Sequence, residues 1–443
     1  MWDKEADGCR VVVTGLAVVS PIGCTRERFW ESLCQGRSGI APFLQDQDND
    51  KSLGTHVAGR VSDFTGRIED FGLLEPRCKK AISKALKMMN RETQMGLAAA
   101  QHALADSQLL AGAVDPHRIG VCFGAGNVSM LPDDFLPAIQ ACTDEGRHYE
   151  FDRWGTDGLS AVAPLWLLKC LPNMPACYIA IFNDLRGPNN SITQRETAPN
   201  LAIAEACNIL QEGAADAMVV GGTGTTLQPF NLIHELLDQE VSPGEEDTAR
   251  SCRPFDLHRT GSVLAEGAAA LILESSESAQ RRGITVYGEV LGSGASCVID
   301  RHQRPHTDKA IFNAMRSALS QAHLSPGAIG HLHARGLGGR RADIEEARAI
   351  RAVFGFHADH LPVVAAKSFT GNAGAGSGAI ELVASLLALK HGRLFPVLNF
   401  ENPDPECPIA PVRTSEVPAG SCFLNLNAGA NGQASCVVMG AAA

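Results

Sequence analysis

The chain has 443 residues, more than a single hydrophobic core usually serves, so two domains or one duplicated architecture are expected. Apolar residues make up 45% and charged residues 20%, ordinary for a folded globular protein. The net charge of −11 argues against nucleic acid or an anionic membrane surface as a partner, since either needs a basic face.

No apolar stretch is long enough to span a bilayer. Asp3, Lys4, Glu5 and Asp7 crowd the first residues ahead of a strand-like run, which is unlike a signal peptide and leads us to expect a cytoplasmic protein. The 14 cysteines are scattered without metal-ligand pairs such as C-x-x-C. Cys122, Cys297 and Cys436 sit in apolar runs, so small buried thiols in a reducing compartment are expected, with neither a metal site nor a cofactor.

In chain order, Arg10–Gly15 reads as a buried strand, and Ser20-Pro21-Ile22-Gly23 as a turn. A helix follows over Thr25–Gln35, capped by Thr25 with Glu27 in its first turn. Lys79–Leu110 has the spacing of two consecutive helices, and Arg118–Phe123 is a second buried strand ended by Gly124-Ala125-Gly126. Ala202–Glu212 reads as a helix, and Ala217–Gly222, Ala268–Glu274 and Val286–Gly292 as strands. Then come a helix over Asp308–Ala322, a short strand His331–His333, a helix over Asp343–Phe354, a strand Val363–Ala365 and a helix over Gly378–His391. Gln45–Ser52 and the acidic Ser242–Thr248 read as solvated loops. Two alternating strand and helix arrays meeting near residues 275–285 imply an α/β protein with largely buried sheets.

Several motifs are more specific. VVVTGLAVVSPIG over Val11–Gly23 and FWESLCQGRSGI over Phe29–Ile40 resemble the start of β-ketoacyl synthases. LPNMPA over Leu171–Ala176 and GPNNSIT over Gly187–Thr193 resemble the approach to that family's nucleophile. Cys252–Glu274 resembles the strand closing its first half, and KSFTGNAGAGSGAIE over Lys367–Glu381 its lysine and second-histidine loop. These segments lie in order along nearly the whole chain. The resemblance implies a thiolase-like, five-layered αβαβα fold of two duplicated halves, with an N-terminal half over 1–275 and a C-terminal half over 276–443. It also implies a dimer acting on thioesters carried by acyl carrier protein.

Ketosynthase chemistry needs a cysteine thiolate at a helix N-terminus to take the acyl chain, and two histidines to donate to the enolate formed on decarboxylation. Carried over by register, Glu196 stands at the cysteine position, fixed by the downstream Ala202-Ile203 and Glu205-Ala206. Arg335, in Ala334-Arg335-Gly336-Leu337-Gly338-Gly339, stands at the first histidine, and Asn372, after Thr370-Gly371, at the second. Only the lysine is kept, as Lys367. Cys207 lies inside the following helix and cannot replace the nucleophile, and His333 reads as a strand histidine with a satisfied hydrogen bond. The C-terminal loop Asn425–Gly432 lacks the family's gating phenylalanine.

The three replacements are complementary, so Glu196, Arg335 and Asn372 are expected to form a closed polar cluster with Glu196 paired to Arg335. Arg195 is the competing partner, although adjacent residues rarely face each other. The leading functional expectation is a non-condensing subunit, similar to polyketide chain-length factors, that pairs with an active 3-oxoacyl-ACP synthase. The alternatives are an acyltransferase or decarboxylase with altered chemistry at Glu196, and a non-catalytic homodimer that binds acyl groups or carrier protein.

Overall fold

The structure is a computed structural model that describes residues 9–43, 54–110, 112, 114–128 and 130–442. The charged start of the chain and the 45–52 segment lie outside them. Thirteen strands are present among the described residues: β1 Val11–Val19, β2 Ile40–Pro42, β3 Val57–Gly59, β4 Ile119–Gly124, β5 Asn189–Ile192, β6 Ala217–Thr225, β7 Leu264–Ser275, β8 Gly288–Cys297, β9 His331–His333, β10 Pro362–Val364, β11 Ala410–Pro411, β12 Cys422–Ala428 and β13 Gln433–Gly440.

Two sets of five strands have the same wiring. In the first the spatial order is β5-β4-β6-β7-β1, and in the second β10-β9-β12-β13-β8. Numbered by appearance within each set, both read third, second, fourth, fifth, first. The pairing senses also agree. β4 is parallel to β5 and β6, while β7 is antiparallel to β6 and β1. Likewise β9 is parallel to β10 and β12, while β13 is antiparallel to β12 and β8. A three-residue antiparallel contact of β1 with β8, at Val11 to Val13, joins the sets.

Helices cover both faces of each set, which is why the strands read as unbroken apolar runs rather than alternating ones. The helix Arg91–Ser107 packs on the outer face of β1, β6 and β7. The helices Ala198–Gln211 and Ala375–His391 pack on each other between the two sets, and Thr307–Gln321, itself backed by Arg340–Phe354, covers β8 and β13. The result is the five-layered, thiolase-like α/β architecture. Strand β1 shows how one sequence serves two layers. Val11, Val13, Leu16 and Val18 enter the central core, Ala17 and Val19 enter the outer one, and an irregularity between Val13 and Gly15 resets the alternation.

The helix starts lie slightly earlier than the apolar periodicity indicates. Ala198–Gln211 begins four residues before Ala202 because Pro199 occupies its first turn, where a missing N–H costs nothing. At Arg26–Gln35 the Thr25 hydroxyl accepts from the Arg28 N–H at 3.2 Å and Gly36 closes the other end at φ 69°. All of the cysteines are free thiols. One expectation needs correction: Cys297, the last residue of β8, is exposed, its run lying at the partly covered end of the strand. Among the described residues no helix is long and apolar enough to cross a membrane.

Candidate functional site

The site lies where both sets of strands end against the two central helices. Strand β5 runs into a tight turn, Arg195–Thr197, which opens directly into the helix Ala198–Gln211. Glu196 sits in that turn with its side chain 3% exposed, at the positive end of the helix macrodipole. Arg195 takes a left-handed backbone conformation, φ 50°, uncommon for a residue with a Cβ. That twist turns its side chain toward the same side as Glu196.

The electrostatics follow from the twist. Arg195 Nε lies 3.8 Å from Glu196 Oε2, Nη1 lies 2.8 Å from Asp238 Oδ2, and Nη2 bonds Glu235. One guanidinium therefore serves three carboxylates, two of them buried. Burial pushes the Glu196 carboxyl up, but Arg195 foremost and Arg335 after it outweigh burial and hold it below the ordinary carboxylate range. Burial, and next the Glu196 charge, pushes Glu235 up to about 7. Of the two carboxyls, Glu196 keeps the charge. The expected Glu196–Arg335 ion pair is thus corrected. Arg335 acts on Glu196 only through space, and Arg195 is the contacting cation, because the left-handed turn removes the reason for adjacent side chains to diverge.

Asn372 does reach Glu196, its Nδ2 lying 3.4 Å from Oε1. Its Oδ1 accepts from the Gly374 N–H and the Ser377 hydroxyl, both at 3.2 Å, which ties it to the start of the helix Ala375–His391. Its backbone pairs with β7, donating to Val263 O at 2.7 Å and accepting from Ala265 N–H at 3.0 Å. The left-handed Gly371, φ 74°, makes that approach possible: a Cβ there would lie 2.9 Å from Val263 O.

Arg335 follows β9 on a loop held by carboxylates that its motif did not reveal. Glu346 accepts the N–H groups of Arg335 at 2.6 Å and Gly336 at 3.0 Å, and Asp343 accepts that of Gly338 at 3.0 Å. Lys367 secures the same loop. Its ammonium is buried, donates to Arg335 O at 3.0 Å and pairs with Glu381. Lys367 therefore acts on the backbone of Arg335 rather than on Glu196. Glu381, 14 residues along the same motif, was the one partner a sequence signal could have found.

His333 is engaged at both nitrogens. Nε2 accepts the Ala366 N–H at 3.1 Å, so Nδ1 carries the proton to Ser385 Oγ at 2.8 Å. That hydroxyl donates in turn to His331 Nε2 at 3.1 Å, and His331 Nδ1 donates to Ala419 O at 2.7 Å. Burial holds both imidazoles neutral, His331 down to about 4. Burial pushes the Cys207 thiol up to about 12, which leaves no thiolate in the helix after Glu196. The turn after β12 closes the site: a Cβ on Gly429 would stand 3.9 Å from Glu196 Oε2, and Ala430 lines a cleft of about 440 Å³ with Arg335 in its wall.

The two wired sets and the helices between them place the chain in the thiolase-like class of α/β proteins. Residues 9–279 match the family described as Beta-ketoacyl synthase, N-terminal domain, and residues 287–401 match Beta-ketoacyl synthase, C-terminal domain. The 3-oxoacyl-[acyl-carrier-protein] synthase 2 proteins of Synechocystis sp. and Coxiella burnetii are both 32% identical over 399 residues. The match covers 90% of this chain in each case, with 89% and 90% of the relatives. A type II polyketide ketosynthase solved with its acyl carrier protein superposes at a TM-score of 0.82 with 26% identity, covering 99% of this chain and 100% of that one. The ishigamide ketosynthase/chain length factor gives the same TM-score at 24% identity, covering 98% and 100%. The chain belongs to the β-ketoacyl synthase family, whose members work in fatty-acid and polyketide biosynthesis.

Proposed function

We propose that this chain is a non-condensing subunit, similar to a chain-length factor, that pairs with an active 3-oxoacyl-ACP synthase. The observation that carries the reading is Glu196, a buried carboxylate held ionised by Arg195 where the family places its nucleophile. A carboxylate attacking a thioester would form a labile anhydride, and the flanking positions 335 and 372 offer a guanidinium and an amide rather than imidazoles. Lys367 is already committed to Glu381 and a backbone carbonyl. The site is therefore assigned as degenerate at Glu196, Arg335 and Asn372, with Lys367 kept as a positioning residue, and with no cofactor or metal.

The surface supports a partner. Among the described residues, strand β5 ends the sheet with an exposed, unpaired edge, Asn189 and Asn190. Nearby segments of the chain expose Phe151 at 74%, Ile181 at 66%, Leu159 at 57% and Leu165 at 55%. A cytoplasmic location belongs to the same proposal, supported by the free thiols. So does a division into halves over 1–275 and 276–443.

The test is co-expression with a ketosynthase that has the intact cysteine and histidines, followed by purification and assay with malonyl-acyl carrier protein. A stoichiometric heterodimer whose turnover survives Glu196→Ala is the expected result. Turnover by this chain alone that disappears in Glu196→Ala means an acyltransferase or decarboxylase instead. A stable homodimer without turnover that ignores the ketosynthase means a non-catalytic acyl- or carrier-binding protein.

A further inference from the structure

Arg335 is 3% exposed, yet its guanidinium makes no hydrogen bond and has no carboxylate within ion-pair reach among the described residues. Its Nε is buried with no hydrogen-bond partner among the described residues. Burying a guanidinium unpaired is costly, and planar, forked donors of this kind match a carboxylate or phosphate. The side chain forms part of the wall of the cleft of about 440 Å³, within the range of roughly 300–1,000 Å³ typical of small-molecule sites. Leu237, Pro305, Leu337, Ala342 and Ala430 supply an apolar lining around it.

Three carboxylates also line this cleft, but each is already engaged. Asp238 bonds Arg195 at 2.8 Å, Glu345 bonds Arg341 at 2.7 Å, and Glu240 accepts the Arg340 N–H. The one cleft charge left without a contact partner is the cation of Arg335. We propose that the cleft binds an aliphatic carboxylate, its chain along the apolar lining and its carboxylate forked onto the Arg335 guanidinium. Apolar lining beside one unengaged cation, the other cleft cation Arg341 being paired with Glu345, fits such a ligand better than phosphate, which seeks several donors at once. Glu196, which acts on Arg335 through space as do the buried Asp343, Glu346 and Glu381, competes with the ligand for that charge.

The test is calorimetric titration of the full chain with octanoate, octan-1-ol and inorganic phosphate, for the unaltered protein and for Arg335→Met and Glu196→Gln. Octanoate should bind about tenfold or more tightly than octanol, and Arg335→Met should remove that difference. Glu196→Gln, which retains Arg335 and removes its competitor, should tighten octanoate severalfold, so the proposal is tested even if Arg335→Met folds poorly. Equal binding of octanoate and octanol, octanoate affinity unchanged in Arg335→Met, or no tightening in Glu196→Gln would each overturn it. Displacement of octanoate by phosphate at comparable concentration would overturn the assignment to a carboxylate. Each readout is small-molecule binding and is separate from partner capture or turnover.

Discussion

The two arginines of the site should differ sharply when each is replaced by methionine. Arg195 contacts Glu235, Asp238 and Glu196, and the Glu235 and Glu196 side chains are 5% and 3% exposed. Removing one member of a buried pair costs about 3–5 kcal/mol, because the other charge stays buried without compensation. Arg195 is itself 19% exposed and Asp238 is 38% exposed, so solvent screens part of the loss and the lower end, about 3 kcal/mol, is expected. Arg335→Met removes no hydrogen bond and relieves a desolvated cation, but it also withdraws through-space support from Glu196, Asp343, Glu346 and Glu381. A net cost of about 1 kcal/mol, well below that of Arg195→Met, is expected. The contrast has a pH signature. Because Arg195 holds Glu196 below its ordinary 4.5, that carboxylate stabilises the fold above this pH and the contribution is lost as pH falls through the lowered value. The deficit of Arg195→Met should therefore be full at pH 7 and shrink only as pH falls below 4.5. Urea denaturation followed by tryptophan fluorescence at pH 7 and on the acid side of 4.5 measures it. Equal losses for the two variants, or a loss under about 1 kcal/mol for Arg195→Met, would refute the assignment of Arg195 as the contacting cation.

Three further outcomes can be checked in the same way. Lys367→Met should destabilise by about 3–5 kcal/mol by stranding Glu381, and Lys367→Met with Glu381→Leu should recover most of that in denaturant titrations. Burial pushes Glu92 up to about 7 from 4.5, so its contribution is full below pH 4.5 and is lost as pH rises through 7. Glu92→Gln should then gain relative to the unaltered protein between pH 5 and 8, by about 3 kcal/mol at most, as thermal melts across that range would show. Thr25→Ala removes the acceptor for the Arg28 N–H and should cost about 1 kcal/mol, with Thr25→Ser restoring it.

The architecture was legible because burying each sheet between helices leaves unbroken apolar runs, such as Val11–Val13 and Ala217–Val220, bounded by glycines. The stretch from Pro132 to Cys170 was not. Its short helices, such as Leu136–Ala141 and Trp166–Cys170, are set off by Pro132, Pro164 and Pro172, and several apolar side chains point outward. A periodicity argument assumes that one face of a helix meets a core, and these segments have little core to meet.

The site was legible in position and illegible in pairing, for one physical reason. Register along a chain fixes which residues arrive together, so Glu196 and Asn372 do meet although 176 positions separate them. Which charges touch depends on a backbone angle and on acids from elsewhere. Arg195 reaches Glu196 because its φ is 50°, and it is held there by Glu235 and Asp238, 40 and 43 positions away. Those two acids stand three apart on one helix, a spacing that ordinarily marks a solvated face. Complementary charges at 196 and 335 thus gave a plausible pair, but the nearer guanidinium took the carboxylate. Arg335 was left buried and unengaged beside a cleft, so the misassigned partner is also the residue with most capacity to bind something else.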